Sequence, residues 1–153
     1  MATALPKTQE AKPFARPGAG KAKVAVLYTT PQTVLEDYHR LLKLAEYEKY
    51  LSKDIPTLLK VNISWQHYFP ACSTAPWQLE GVIKALQSDG YSALIAAHNG
   101  TVVVNSHEGE ANNKHKVVQD KYGIPVVHLN DDGVEWIDYQ PKGEMLVLPK
   151  IYP

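Results

Sequence analysis

Short, uninterrupted apolar runs recur along the chain and predict β-strands. The first and third are rich in apolar residues without polar alternation, which is typical of strands buried on both faces of a parallel sheet. The five runs are residues 23–28 (KVAVLY), 57–63 (TLLKVNI), 93–97 (ALIAA), 124–129 (IPVVHL) and 145–148 (MLVL). Three of the segments between them predict helices.

The predicted helices are read from apolar residues at three- and four-residue spacing. The first begins at Thr33 and carries an apolar stripe opposite charged side chains. The second runs to Asp89-Gly90, and the third, residues 114–122, is stopped by Gly123 because glycine readily ends a helix in the left-handed conformation. The alternation of strands and helices predicts a βαβ arrangement.

The predicted fold class is therefore α/β, with a mostly parallel β-sheet and helices on both faces, in three layers. The run at residues 145–148 has no closing element after it, so the domain looks incomplete at its C-terminus. One local alternative stays open. Asn99-Gly100 is a favoured two-residue turn, so residues 97–104 could instead form a β-hairpin.

The length and net charge of the chain limit the classes of function that it can have. The 153 residues, 44% of them hydrophobic, suffice for one domain, and 16 basic against 16 acidic residues give no net charge. A neutral chain favours a small ligand over nucleic acid or an anionic membrane. Residues 1–22 are rich in lysine, proline and glycine and predict a disordered basic leader, which leaves residues 23–153 as the single α/β domain.

The single cysteine excludes an internal disulfide framework and any cysteine motif for an iron–sulfur cluster. The sequence has no run of about 20 apolar residues, which a membrane span requires. With no secretory signal recognisable either, we expect a cytoplasmic protein without a membrane partner. No cofactor is indicated.

Polar residues follow three of the predicted strands, and the carboxyl ends of parallel strands are where α/β folds bind ligands. We therefore expect one shared rim. Its members are Asn62, Ser64, His67, Cys72, Ser73 and Thr74, then His98, Asn99, Gly100 and Thr101, then Asn130, Asp131 and Asp132.

The candidate ligand-binding residues are those that suit an anion. Thr74 is expected to be the N-cap of the second helix, either as a cap alone or, with Ser73 and free backbone N–H groups, as an anion site. Lys60 interrupts an apolar strand, and Asn62 points to the same face. Lys60 either lies at an edge or pairs with a ligand or a carboxylate such as Asp131 or Asp132. The full set is Lys60, Asn62, Ser73, Thr74 and Asn99.

Catalytic residues are less clear. Cys72 could be a nucleophile activated by His67, or an inert small apolar residue. His98 could act as an acid or base. The histidines lack zinc-site spacing, so no metal site is predicted, although His98 and His107 with Glu108 or Glu110 form an alternative. The aromatic residues Trp65, Tyr68, Phe69 and Trp77 are expected to pack their loop down rather than stack bases, since no basic stripe accompanies them.

The combination of Lys60-x-Asn62 at a strand end, Thr74-x-Pro76 opening a helix and a later strand ending in a small polar loop resembles the N-terminal part of the domain of unknown function 362 family. The similarity covers roughly residues 23–153. It implies an α/β domain with no established general reaction, some members of which carry ferredoxin-like iron–sulfur modules. This chain lacks their cysteines and ends before the lysine, histidine and asparagine motifs expected in the family's second half.

Three hypotheses follow. The chain is an enzyme, or half of one, that binds a small anionic or phosphorylated ligand at the carboxyl ends of the strands. Alternatively, it is a non-catalytic accessory protein of redox or metal-cofactor metabolism, whose protein partner supplies the missing half of the domain. The third is a truncated fragment without independent activity.

Overall fold

A computed structural model describes residues 24–138 and 150–151. The fold is α/β, as predicted, and its centre is a three-stranded parallel sheet. The helices are α1 (Val34–Leu44), α2 (Pro76–Ser88), α3 (Ser106–Asn112) and α4 (His115–Tyr122), with a 3₁₀ turn at Tyr47–Lys49. The strands are β1 (Thr57–Lys60), β2 (Leu94–His98), β3 (Val126–His128), β4 (Ile137–Asp138) and β5 (Lys150–Ile151).

The parallel sheet has the order β1-β2-β3, and its register aligns Leu59 with Ala96 and Ala96 with Val126. Side chains on that face of the sheet pack against α2 and α4, and they form a core with Leu79, Ile83 and Leu86 of α2 and Val118 of α4. The opposite face is more open among the described residues, since Leu58 is 44% exposed. β4 and β5 form a separate antiparallel pair.

Helix positions follow the sequence patterns closely. α1 has Thr33 as its N-cap, and α2 has Asp89 as its C-cap, followed by Gly90 at φ +87°. The C-cap of α4 is Gly123, which has φ +63°, as the glycine stop predicts. α2 packs on α1 at Gly81, which lies against the Tyr38 ring. A Cβ at position 81 would come within 2.6 Å of that ring, so the close approach of the two helices requires glycine there.

Four expectations about local structure were wrong or fall outside the structure. Residues 24–28 form no strand, and Val24, Val26 and Tyr28 are 79%, 73% and 95% exposed, because no described strand pairs with them. The hairpin alternative is also wrong, since residues 99–105 lead into α3, which the sequence reading missed. The run at residues 145–148 and the leader at residues 1–22 lie outside the described residues.

The N-cap of α2 is Ala75, not Thr74. The Thr74 hydroxyl is already engaged, because it accepts a hydrogen bond from the Asn62 backbone N–H at 3.0 Å. The Gln78 side chain instead accepts from the Ala75 N–H at 2.8 Å, which fixes the first turn of α2.

Candidate functional site

The three strands end at one edge of the sheet, as predicted. The register pairs Lys60 with Ala97 and His98 with His128, so the residues that follow each strand share that edge. Asn130 from beyond β3 accepts a hydrogen bond from the Gly100 N–H beyond β2 at 2.7 Å, which joins two of the predicted loops directly.

The most unusual feature of this edge is a group of buried polar side chains, which we call the histidine cluster. Its members come from the ends of β2 and β3 and from α3 and α4. They are His98 (0% exposed), Glu110 (6%), His115 (0%), Gln119 (1%) and His128 (8%). Burying a polar group is costly unless it is hydrogen-bonded, so the hydrogen bonds inside this cluster determine how far its burial is compensated.

His128 is held at both ring nitrogens. Its Nδ1 lies 2.8 Å from the Ser106 hydroxyl oxygen, and its Nε2 lies 3.0 Å from Glu110 Oε2. The order serine, histidine, carboxylate is also that of a nucleophilic relay. Ser106 is only 5% exposed, however, so these contacts hold the ring in place and present no accessible nucleophile.

His98 is less completely satisfied. The Gln119 side-chain nitrogen donates to His98 Nε2 at 2.9 Å, and Glu110 Oε1 lies 3.4 Å from the same nitrogen. Four buried atoms of the cluster have no hydrogen-bond partner among the described residues, and they are His98 Nδ1, Glu110 Oε1, His115 Nδ1 and Gln119 Oε1. A cluster with this many unpaired atoms is not explained by folding stability alone.

Burial disfavours the protonated forms of His98 and His115. Desolvation is the largest cause of the lowered pKa of His98, which is about 4, and the proximity of other cationic side chains, among them Lys60, adds to it. Burial also lowers the pKa of His115, although the hydrogen bond from its Nε2 to the Thr74 carbonyl and the nearby Glu110 oppose the shift.

His107 and Asp131 cover the cluster on its solvent side. The His107 ring stacks on the His128 ring with centroids 3.6 Å apart, and its Nε2 lies 2.9 Å from the Asp131 carboxylate. The alternative metal site is not supported, because the described residues contain no group of three or more His, Cys, Asp or Glu side chains arranged to hold a metal ion.

The loop at residues 62–74 is held by polar contacts. Asn62 and Thr74 exchange two hydrogen bonds, with the Thr74 N–H donating to the Asn62 carbonyl at 2.9 Å. The Ser64 N–H donates to the Ser73 hydroxyl at 3.2 Å. The structure therefore brings Asn62, Ser73 and Thr74 together, as the sequence predicts.

The other predicted site residues are dispersed. Lys60 is exposed, and its ammonium donates to the Val61 carbonyl at 2.7 Å, while Asp131 contacts His107 instead. Asn99 is exposed, and Cys72 is a half-buried free thiol. His98 is fully buried, so it is not a residue of the open rim.

A cleft of about 550 Å³ lies between the loop and the junction of α3 with α4. Its lining consists of His67, Tyr68, Pro76, Asn112 and Lys114, and we call it the α2–α4 cleft. Pro76 is the first residue of α2, and Lys114 is the N-cap of α4, so the beginnings of both helices line it. A smaller cavity of about 130 Å³ shares Tyr68 and Pro76 with the cleft and is also lined by Ser73 and Thr74.

The expectation that the aromatic side chains pack the loop down is wrong for Tyr68 and Phe69, which are 62% and 66% exposed. Trp65 and Trp77 are 42% and 44% exposed, and their rings contact those of His67 and Tyr38. Polar contacts fix the two ends of the loop and leave the Tyr68 and Phe69 rings largely in solvent.

Sequence reasoning missed the cleft and most of the histidine cluster because it missed α3. A signal was present, since Asn105 is followed three residues later by Glu108, the spacing of an N-cap with a first-turn acid. The Asn105 side chain indeed accepts from the N–H groups of His107 and Glu108.

No family model, curated protein or solved structure matches this chain. The functional inference therefore depends on the geometry described above. None of the helices among residues 24–138 is long and apolar enough to cross a membrane.

Proposed function

We propose that this protein binds a small anionic or phosphorylated ligand in the α2–α4 cleft. The observation that carries the proposal is the composition of the cleft: its lining includes Lys114 and His67 and, among the described residues, no aspartate or glutamate. The volume of about 550 Å³ is in the range of small-molecule sites.

The beginnings of α2 and α4 add to the attraction. The N-terminus of a helix carries partial positive charge and unpaired backbone N–H groups, which favour an anion. α4 has 8 residues and receives no hydrogen bond from its N-cap side chain. α2 begins with Pro76, which has no N–H, and its Gln78 N–H already donates to the Ala75 carbonyl at 3.0 Å, so α2 contributes partial positive charge more than free donors. An anion in the cleft would therefore meet the beginning of α4 and a lysine together.

This site differs from the one predicted from the sequence. Ser73 and Thr74 line the adjoining smaller cavity, whereas Lys60, Asn62 and Asn99 line neither cavity. The proposal keeps the predicted ligand class and moves its centre from the strand ends to the beginnings of α2 and α4. The proposal is also compatible with the resemblance to the domain of unknown function 362 family, for which no general reaction is established.

The test is isothermal titration of the full chain with inorganic phosphate and with ribose 5-phosphate at constant ionic strength. We expect binding in wild type and a Kd about tenfold higher in Lys114→Gln, since a charge-assisted hydrogen bond contributes about 1.5 to 3 kcal/mol. Lys116→Gln is the matched control, because Lys116 is exposed on the same helix, does not line the cleft and contacts Asp120.

Equal affinity in wild type and Lys114→Gln would contradict the proposed site. Absence of binding by either anion at millimolar concentration would contradict the proposed function itself.

A further inference from the structure

Two large aromatic rings at the α2–α4 cleft and the cavity beside it are left mostly exposed by the fold, those of Tyr68 (62%) and Phe69 (66%). Tyr68 lines both cavities, and Phe69 lines the smaller one. Contiguous exposed apolar surface is uncommon in a soluble domain unless it binds something. Exposure of rings near a cleft therefore needs a reason beyond chain folding.

The fold does not use these rings to hold the loop. Hydrogen bonds between Asn62 and Thr74 and between Ser64 and Ser73 fix its two ends. The Asn113 side-chain amide ties it to α3 by donating to the Trp65 carbonyl at 3.1 Å. The rings are thus presented on a backbone that is already positioned, which is the arrangement of a preformed binding surface.

Backbone conformation marks the same place. Ala71 and Lys114 have φ of +61° and +65°, a left-handed conformation that is unfavourable for residues with a side chain. Ala71 lines the smaller cavity and Lys114 lines the cleft. Such residues occur often at binding sites, where the surrounding structure maintains them.

We infer that the ligand of the α2–α4 cleft carries a planar ring as well as its anionic group, the chemistry of a mononucleotide. This inference rests on the proposed function and names the ligand class for the same site. The anionic group lies at Lys114 and His67, and the ring stacks on Tyr68 or Phe69. A base stacked on an aromatic side chain contributes about 1 to 3 kcal/mol, so the rings supply an affinity that an anion alone lacks.

The observations favour a small molecule over a nucleic acid strand. Lys114 is the one lysine or arginine that lines the cleft described here, whereas strand binding needs a basic groove that follows successive phosphates. The neutral net charge of the chain agrees with a single phosphate group.

The experiment compares the affinities of adenosine 5′-monophosphate, ribose 5-phosphate, adenosine and a short single-stranded oligonucleotide for the full chain. We expect the mononucleotide to bind at least about fivefold more tightly than ribose 5-phosphate, the lower end of the stacking contribution. Tyr68→Ala, or the double variant Tyr68→Ala/Phe69→Ala if either ring suffices, should remove that preference, so that the Kd values of the two ligands become equal within the same variant.

Two variants serve as controls. Tyr68→Phe keeps the ring and should keep the preference. Tyr50→Ala removes a tyrosine that is 80% exposed and lines none of the cavities described here, and it should have no effect.

The outcomes separate this inference from the proposed function. Equal affinity for the mononucleotide and ribose 5-phosphate overturns the ring inference and leaves anion binding intact. If the wild-type chain binds neither adenosine 5′-monophosphate nor ribose 5-phosphate, both the proposed function and this inference are wrong. Oligonucleotide binding that is tighter than mononucleotide binding and falls steeply with salt overturns the assignment to a small molecule.

Discussion

The histidine cluster and the α2–α4 cleft both include residues of the α3–α4 segment, yet each departs from the usual distribution of polar and apolar side chains, and in opposite directions. The cluster buries polar atoms, four of which have no partner among the described residues. The cleft and the cavity beside it are lined by Tyr68 and Phe69, whose rings are 62% and 66% exposed. The first region is closed to solvent, whereas the second is accessible from it.

Because of this difference, unfolding experiments report on the histidine cluster, whereas binding experiments report on the cleft. Changes in the cluster should alter the free energy of unfolding, because its groups are desolvated and packed. Changes in the rings should alter affinity while leaving the free energy of unfolding almost unchanged.

The largest expected effect is the pH dependence of stability through His98. Its pKa is about 4 in the folded chain and about 6.5 when unfolded, so between these values the unfolded chain binds more protons. Stability should be constant with pH above about 6.5 and fall as pH decreases toward 4, by about 3 kcal/mol in total. His115, whose pKa is also lowered, acts in the same direction.

Urea unfolding of wild type and His98→Gln between pH 4 and 7.5 measures this dependence. The variant should show a shallower slope below about pH 6.5. His67→Gln, at an exposed position, is the control and should keep the wild-type slope. Equal slopes in wild type and His98→Gln would assign the acid sensitivity to other groups.

The second prediction concerns the contact between α3 and the residues that follow β1. Gly109 of α3 lies against Ile63, and a Cβ at that position would come within 2.4 Å of Ile63 Cγ2. Ile63 is 9% exposed and β-branched, so it has little room to move. Gly109→Ala should therefore destabilise the chain by about 1 to 3 kcal/mol, the usual cost of overpacking.

A double variant tests the cause. Gly109→Ala/Ile63→Leu removes the Cγ2 branch that the new Cβ would meet and conserves the side-chain volume, so it should regain part of the stability in urea unfolding. If instead the two losses simply add, the damage arises elsewhere than in the contact between these two residues.

The sequence predicted the parallel core well but predicted the site only in part. β2 was recognisable as an uninterrupted apolar run, α2 by the regular apolar period that burial of one face leaves, and the ends of α2 and α4 by Gly90 and Gly123. Residues 24–28 have the composition of a strand, but composition does not specify a neighbouring strand to pair with. The pattern could therefore not reveal that this run lies outside the sheet.

The site was harder because burial decides its chemistry. His98 and Thr74 were both placed correctly at the sheet edge, but the sequence does not reveal that His98 is enclosed by Gln119 and Glu110 or that the Thr74 hydroxyl is used by Asn62. α3 has seven residues with few apolar side chains, so it has almost no apolar period. Missing it removed Ser106 and Asn112 from consideration and left Glu110 only as an alternative metal ligand.

The smallest expected effect is on the stability of the ring variants, and it sharpens the comparison most directly. Tyr68→Ala removes a side chain that is 62% exposed, so the free energy of unfolding should change by less than about 0.5 kcal/mol. Leu79→Ala is the reference, because Leu79 is 4% exposed and its truncation should cost about 2 to 5 kcal/mol. Urea unfolding of both variants at pH 7.5 makes the measurement. A loss in Tyr68→Ala comparable to that in Leu79→Ala would assign the ring to the packing of the loop, and the cleft would then resemble the histidine cluster in being built for the fold. A negligible loss would show that the Tyr68 ring does not stabilise the fold, and ligand binding would then be the reason for a tyrosine at this position.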